Sequence, residues 1–133
     1  LIGERTAEEL KITLGSASIE KAQGSMQVRG RDMVTGLPRV VEVPAKEIAV
    51  AMSEIIHQIL DAVKDVLEQT PPEISADVID HGIVLTGGGA MLRHLAEMIS
   101  KETQVPAFVA NDPLDCVALG TGAILANPSL MKQ

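Results

Sequence analysis

The longest regular pattern of apolar residues in the chain lies between residues 45 and 69. Apolar side chains recur there three or four positions apart, which places them along one face of an α-helix. Pro71 and Pro72 cannot donate helical hydrogen bonds, so we expect the helix to end before them. The pattern therefore predicts a long amphipathic helix over residues 45–69, with an apolar stripe made of Ile48, Met52, Ile55, Ile56, Ile59, Val63, Val66 and Leu67.

The residues before this helix predict a shorter helix followed by a β-hairpin. Thr6 is a suitable cap for a helix that runs to Leu14 and is ended by Gly15. After a polar loop over residues 16–25, the stretch MQVRGRDMV alternates apolar and polar side chains, TGLP is typical of a turn, and RVVEV is rich in β-branched residues. We therefore expect a hairpin over residues 25–43.

The second half of the chain alternates predicted strands and helices. A short helical segment, ISADVIDHG, leads into the strand GIVLT, which is followed by a helix over residues 91–102 and a strand in VPAFVAN. A small-residue helix from Leu114 to Ala126, closed by Pro128, comes last. This order is typical of α/β folds with parallel strands. We expect GIVLT to be buried on both faces and to have further neighbours, because two strands make a poor sheet alone.

Composition excludes several classes of function. The net charge is −7 and Phe108 is the only aromatic residue, which argues against a binder of nucleic acid. The single cysteine, Cys116, excludes an internal disulfide and fits a reducing compartment. No apolar run approaches the ~20 residues of a membrane-spanning helix. The chain begins with Leu1 in what looks like a structured segment, so we expect a fragment of a longer protein.

Three consecutive glycines, Gly87, Gly88 and Gly89, separate the strand GIVLT from the helix that follows it. Glycines permit positive φ angles and let a ligand approach the main chain, and helix N-terminal amides attract anions. The pattern is neither G-x-G-x-x-G nor G-x-x-x-x-G-K-[ST], and no lysine follows it. From the residues alone, a nucleotide-binding corner and a plain tight turn with close strand–helix packing are equally supported.

Several stretches of the chain resemble a known family. GIVLTGGGAMLRHL is similar to the adenosine motif of the actin-like ATPase superfamily, and PLDCVALGTGAILAN is similar to its second connecting motif. LIGERTAEELKITLGSA and MQVRGRDMVTGLPRVVEVPAKEIAVAM resemble the bacterial actins of the MreB/Mbl family specifically. The resemblance covers essentially all 133 residues.

The resemblance implies an α/β fold that is a partial actin-like ATPase domain with a ribonuclease-H-like core. Residues 1–12 and 56–133 would form an inner nucleotide-binding subdomain that lacks its first strands, and residues 13–55 a small outer α+β subdomain with the hairpin. No stretch here matches the family's first domain, its phosphate-binding hairpins or a D-x-G-G-G-T segment. We therefore expect no catalytic and no metal-binding residue in this chain.

The resemblance also implies where ATP would be contacted, with Mg²⁺ held by parts outside this chain. A Glu and a Lys three residues later would reach the ribose and adenine, the glycines would form a backbone wall against the ribose and α-phosphate, and the next two residues would border the adenine. The matching positions are Glu8, Lys11, Gly87, Gly88, Gly89, Ala90 and Met91. The alternatives are an exposed ion pair between Glu8 and Lys11 and a place for Met91 in the core.

Other candidates carry weaker signals. Gly120 and Gly122 match small-residue positions near the interdomain hinge of the family, with close helix packing as the alternative. His57, His81 and His94 show no spacing typical of metal ligands. The hairpin arginines, Arg29, Arg31 and Arg39, form either a subunit contact or a solvated face, and the face is favoured.

The function implied by the resemblance is that of an ATP-binding, filament-forming cytoskeletal protein that guides cell-wall synthesis and so determines rod shape. Intact members are slow ATPases, whereas this chain alone is expected to be inactive. The implied partners are further copies of itself, RodZ-like transmembrane proteins and other cell-wall elongation proteins. The implied location is the cytoplasm, at the inner face of the cell membrane, with membrane contact made by regions outside this chain. The alternatives are another superfamily member, chaperone-like or sugar-kinase-like, and a non-enzymatic interaction module.

Overall fold

The chain folds into helices and strands in the predicted order. The structure is a computed structural model that describes residues 1–127 and 129. Its elements are α1 (Glu4–Leu14), β1 (Ser25–Arg31), β2 (Pro38–Pro44), α2 (Ala45–Glu68), α3 (Pro72–His81), β3 (Ile83–Leu85), a 3₁₀ helix (Gly88–Met91), α4 (Leu95–Thr103), β4 (Ala107–Val109) and α5 (Cys116–Ala126). The predicted closing residue of the last helix, Pro128, lies outside the described residues.

The first helix begins two residues earlier than its predicted cap. Gly3 is the N-cap residue and makes no side-chain cap, so Thr6 lies inside the first turn and the prediction that it caps the helix is wrong. The predicted end is confirmed, because Gly15 follows the last helical residue and its N–H donates to the carbonyl of Lys11 at 2.9 Å. Leu10 and Leu14 are both 4% exposed and form the buried side of α1.

The predicted hairpin is confirmed. β1 and β2 pair antiparallel in a register that runs from Ser25 opposite Pro44 to Arg31 opposite Pro38. The hairpin packs its inner face on α1 and on the first turns of α2. The resulting first apolar cluster is formed by Leu10, Leu14, Ala22, Val28, Ala45 and Ala49.

The long predicted helix is confirmed as α2, which has 24 residues. Its first turns belong to the first cluster, and its middle belongs to a second cluster that consists of Ala17, Ile56, Leu60, Leu95 and Ile99. The predicted stripe is only partly covered, since Ile55 is 58% exposed and Val66 is 66% exposed. The apolar arc of α2 is therefore wider than the surface that the described residues pack against it.

The second half contains a parallel pair of strands, as predicted. β3 and β4 pair from Ile83 opposite Ala107 to Leu85 opposite Val109, and α4 packs across them. The expected burial of β3 on both faces is not observed, because Val84 is 53% exposed and the described part of the chain supplies β3 with a single neighbour.

The helix predicted over residues 91–102 is interrupted. A 3₁₀ helix ends at Met91, Leu92 is extended, and His94 adopts a left-handed conformation with φ of 65° before α4 begins at Leu95. A left-handed residue cannot continue a right-handed helix. The interruption therefore separates the glycine segment from α4 instead of placing both on one helix.

The last helix is apolar but uncovered. No residue of α5 is buried, and Val117, Leu119 and Leu125 are 74%, 63% and 81% exposed. None of the described helices is both long enough and apolar enough to cross a membrane. The division into an inner subdomain of residues 1–12 and 56–133 and an outer one of residues 13–55 stays a prediction, although the two clusters show that the molecule has two centres of packing.

Candidate functional site

The three glycines lie between β3 and the 3₁₀ helix, and with Ala90 and Met91 they form what we call the glycine corner, residues 87–91. Gly87 has a φ of 82°, a conformation that favours glycine, and its N–H donates to the carbonyl of Pro113 at 2.7 Å. A Cβ added at Gly89 would have no neighbour within 4 Å, and one added at Gly88 would be in ordinary contact with Leu114 at 3.4 Å. The turn thus accounts for Gly87, while close packing of the described residues does not account for Gly88 and Gly89.

The two residues that end the glycine corner have opposite environments. Ala90 is 6% exposed and packs inward. Met91 is 58% exposed, so the alternative that placed its side chain in the core is wrong. A methionine at the surface beside two unshielded glycines offers a soft apolar contact to a flat ring.

Glu8 and Lys11 lie one turn apart on α1, as predicted. The Lys11 ammonium contacts the Glu8 carboxylate at 2.7 Å, and the side chains are 46% exposed for Lys11 and 56% exposed for Glu8. An ion pair this exposed contributes little to stability. Both groups therefore remain accessible to a ligand from the solvent side of α1.

Arg93 joins the end of α1 to the end of the glycine corner. Its Nε donates to the carbonyl of Gly15 at 3.0 Å and its Nη2 donates to the carbonyl of Thr13 at 2.8 Å. In return, the carbonyl of Arg93 accepts a hydrogen bond from the N–H of Ala17 at 2.8 Å. These contacts bring the element that carries Glu8 and Lys11 beside the element that carries the glycines.

A buried serine reinforces this connection. Ser16 is 1% exposed, and its Oγ lies 2.9 Å from Nδ1 of His94. We refer to residues 13–17 together with residues 92–94 as the clasp. Its hydrogen bonds join residues that are 76 to 80 positions apart in sequence, and most of them are accepted by backbone carbonyls, which leave no pattern in the sequence. Sequence reasoning therefore missed Ser16 and Arg93.

A cavity of about 440 Å³ lies beside the clasp and is lined by Ser16, Glu20, Lys21, Ala22, Gln23, Arg93 and His94. Lys21 forms an ion pair with Glu97 at its edge, and the hydrogen bond from Lys21 lowers the pKa of the Glu97 carboxyl below its usual value. None of the residues predicted to contact ATP is in this lining. The cavity and the residues predicted to contact ATP therefore both adjoin the clasp, but the two sets have no residue in common.

The weaker candidates are placed as follows. Nδ1 of His57 and of His81 each lies within hydrogen-bonding distance of the carbonyl four residues earlier, at 2.7 and 2.9 Å. A Cβ added at Gly120 or Gly122 would have no neighbour within 4 Å, so packing among the described residues does not explain these glycines. Within residues 1–127 and 129, no three His, Cys, Asp or Glu side chains form a group that could hold a metal ion.

Comparison with known proteins relates the whole chain to one family. The family model described as MreB/Mbl protein matches residues 1–133. The cell shape-determining protein Mbl of Bacillus subtilis (strain 168) is 50% identical over 127 residues, which cover 96% of this chain and 38% of that protein. The cell shape-determining protein MreB of Escherichia coli (strain K12) is 46% identical over 125 residues, which cover 94% of this chain and 36% of that protein. The chain thus spans less than two fifths of the length of these relatives.

Solved structures give the same result for the fold. MreB5 of Spiroplasma citri bound to ADP superposes with a TM-score of 0.89 at 36% identity, over 98% of this chain and 39% of that one. A non-polymerising mutant of MamK bound to AMPPNP superposes with a TM-score of 0.68 over 86% of this chain and 35% of that one, and at 20% identity it supports the fold alone. The expected actin-like α/β fold is confirmed by these matches. The family model and the curated relatives together show that this chain belongs to the MreB/Mbl protein family.

Proposed function

We propose that this chain is the adenosine-contacting part of an ATP-binding, filament-forming protein that determines rod cell shape by guiding cell-wall synthesis. The observation that carries the nucleotide part is the unshielded backbone at Gly88 and Gly89, which packing among the described residues does not explain. Structures of MreB5 from Spiroplasma citri bound to ADP and to AMPPNP, each aligned over 98% of this chain, support the assignment.

The chemistry of each predicted residue suits one part of the nucleotide. Main-chain amides at the glycine corner attract the α-phosphate, which matters in a chain whose net charge of −7 would repel it. The Glu8 carboxylate accepts hydrogen bonds from ribose hydroxyls, and the exposed Met91 side chain lies against the base. Mg²⁺ and the β- and γ-phosphates are assigned to residues outside this chain.

The test is a nuclear magnetic resonance titration of the 133-residue chain with ATP and with GTP. Since this chain supplies only one side of a cleft, we expect a dissociation constant on the order of millimolar, equivalent to about 4 kcal/mol. The amide signals of residues 87–91 should shift with ATP. Lys11→Gln should weaken ATP binding, while the matched Lys101→Gln, on the exposed last turn of α4, should not.

Two outcomes would contradict the nucleotide assignment. One is the absence of any shift at residues 87–91 at saturating ATP, which would favour the non-enzymatic interaction module. The other is an equal response to ATP and GTP, which would contradict recognition of adenine by Lys11 and Met91. We also expect no ATP hydrolysis by this chain alone, because the motifs for phosphate and Mg²⁺ have no counterpart in it.

The hairpin supports the self-association part of the proposal. Its tip presents three exposed apolar side chains: Met33 at 72%, Val34 at 94% and Leu37 at 65%. Arg29, Arg31 and Arg39 flank this tip, and although Arg39 pairs there with Asp32, the tip keeps a net positive charge in an otherwise acidic chain. An exposed apolar patch with a charged rim is typical of a protein-binding surface. The exposed apolar tip beside these arginines supports a subunit contact rather than the solvated face that the sequence favours.

Helices α2 and α3 carry charge of the opposite sign, and we propose that they provide the complementary surface. The acidic residues there are Glu47, Glu54, Asp61, Asp65, Glu68, Glu73, Asp77 and Asp80, against only two lysines, Lys46 and Lys64. Exposed apolar residues accompany them, including Val66, Ile74 and Ile79 at 66%, 53% and 57%. Two different complementary surfaces on one chain produce a head-to-tail contact, and repetition of such a contact builds an open filament.

The remaining parts of the proposal rest on the resemblance alone. RodZ-like transmembrane proteins and other cell-wall elongation proteins are the proposed partners, besides further copies of the chain. The proposed location is the cytoplasmic face of the cell membrane, with membrane contact through regions outside this chain. Nucleic acid is not a proposed partner, in keeping with the net charge of −7.

A further inference from the structure

The two walls of the proposed adenosine site belong to different packing centres. α1, which carries Glu8 and Lys11, buries Leu10 and Leu14 in the first apolar cluster. The glycine corner is continuous with Leu85 and Leu92, which pack against the second cluster. Apolar packing therefore fixes each wall within its own cluster, and the spacing between the walls depends on what connects them.

The clasp is the connection at this point. The chain leaves the first cluster at Leu14 and enters the second at Ala17, and Arg93 contacts the residues between them. The last carbonyls of a helix have no partner within the helix and carry partial negative charge, so a guanidinium is a favourable partner for them. Its planar fork presents two N–H groups to two carbonyls in a fixed geometry, whereas the donors of a lysine ammonium radiate from a single nitrogen at the end of a flexible chain.

We propose that Arg93 is a positioning residue for the adenosine site, and this inference rests on the proposed nucleotide binding. Arg93 holds the carbonyls of Thr13 and Gly15 and thereby sets the distance between α1 and the glycine corner. Lys11 is one helical turn from this contact, since its carbonyl accepts a hydrogen bond from Gly15 N–H, and Met91 is two residues from Arg93. A base placed between Lys11 and Met91 would therefore be held at a separation that Arg93 controls.

A second change can disturb the same spacing without removing a charge. A Cβ added at Gly15 would overlap the carbonyl oxygen of Lys11 and lie 3.0 Å from Cδ1 of Leu92. Gly15→Ala therefore displaces the end of α1 from its present position beside Leu92, while the charge of Arg93 is kept. If Arg93→Gln and Gly15→Ala weaken ATP binding to the same extent, the cause is the changed spacing, because Gly15→Ala removes no charge.

The experiment is the ATP and GTP titration of the whole chain, repeated for Arg93→Gln, Arg93→Lys, Gly15→Ala and the control Lys21→Gln. Lys21 is a cation beside the clasp, but it pairs with Glu97 and has no hydrogen bond to α1 or to the glycine corner among the described residues. We expect Arg93→Gln and Gly15→Ala to weaken ATP binding about fivefold and to reduce the preference for ATP over GTP, because about 1 kcal/mol of positioning is lost. Arg93→Lys should keep more of the ATP affinity and of the preference for ATP over GTP than Arg93→Gln does. Lys21→Gln should change neither the affinity nor the preference.

The outcomes distinguish this inference from the function on which it rests. If the unaltered chain does not bind ATP at the glycine corner, the proposed function is overturned and the inference with it. If the unaltered chain binds ATP, but Arg93→Gln and Gly15→Ala bind it equally well, the inference alone is overturned. A loss of ATP and GTP binding in equal proportion would also overturn it, since a purely structural role predicts that result. Should Arg93→Gln not fold, Arg93→Lys and Gly15→Ala decide the question.

Discussion

The carboxylate of Asp32 organises the turn of the hairpin. Its Oδ1 accepts hydrogen bonds from the N–H groups of Val34 and Thr35 at 2.9 and 3.0 Å, and its Oδ2 accepts one from Arg39 at 3.0 Å. The backbone hydrogen bonds from Thr35 and Val34, followed by the bond from Arg39, lower the pKa of Asp32 from 3.8 to about 2.

This pKa leads to a prediction about acid stability. A carboxyl whose pKa is lowered by folding stabilises the folded state above its unfolded pKa, and that contribution is lost as the pH falls through the folded pKa. We therefore expect the hairpin turn to lose stability between about pH 4 and pH 2. Amide exchange at Val34 and Thr35, measured across this range, would show it. Asp32→Asn keeps an acceptor oxygen but cannot titrate, so equal pH dependence in both proteins would contradict the prediction.

Single residues also show how far the site could be predicted. The contact between Glu8 and Lys11 follows from their spacing on a helix, and it is present. The contacts of Arg93 with Thr13 and Gly15 could not be predicted, because the donor and acceptors are 78 to 80 positions apart and the acceptors are backbone carbonyls. Local spacing is thus visible in a sequence, whereas a side chain that holds distant backbone is not.

At the scale of elements, periodicity predicted α2 but not which part of its stripe is covered. Ile55 and Ile56 are neighbours in the predicted stripe, yet Ile55 is 58% exposed and Ile56 is 2% exposed. Coverage depends on what packs against the helix, which the pattern of one helix cannot reveal. The interruption before α4 was not predicted for a similar reason. His94 adopts its left-handed conformation where it contacts Ser16 in the clasp, and the residues next to it in sequence are not typical of a turn.

The same pair of isoleucines gives a matched test of the second cluster. Ile56→Ala should lower the free energy of unfolding by about 3 kcal/mol, because it removes buried methyl groups and leaves a cavity among Leu60, Leu95 and Ile99. Ile55→Ala should change it by less than ~0.5 kcal/mol, since its side chain is mostly in water. Urea unfolding of both variants is the measurement. If Ile56→Ala is too unstable to fold, Ile56→Val should still cost about 1 kcal/mol, and equal effects at both positions would show that α2 is rotated from its assigned orientation.

At the scale of the whole molecule, charge is unevenly distributed. The hairpin tip is apolar with a basic rim, α2 and α3 are acidic, and α5 is apolar and uncovered by the described residues. Both the tip and α5 could drive association, but they differ in their response to salt. A contact between opposite charges weakens as ionic strength rises, whereas burial of α5 would not.

We expect head-to-tail association through the hairpin tip. Val34→Asp places a carboxylate in the most exposed apolar position of the tip, where it would face the acidic surface of the next copy, so association should weaken at least fivefold. The matched control is Ile12→Asp, at a 71% exposed position on α1, which belongs to neither of the two proposed surfaces. Sedimentation across a concentration and salt series is the measurement. Association that resists salt and is unchanged by Val34→Asp would identify α5, or the free edge of β3, as the contact instead.

Because α2 passes through both apolar clusters, a tilt of this helix in the second cluster moves the residues that it contributes to the first. Its middle is held at Ile56 in the second cluster, and its first residue, Ala45, directly follows the hairpin strand β2. About 17 Å of helix separates Ala45 from Ile56, so a tilt of about 5° around Ile56 displaces Ala45 by about 1.5 Å. A small rotation of α2 at Ile56 therefore becomes a larger displacement at the hairpin, and the stiffness of α2 determines how much of that displacement is transmitted.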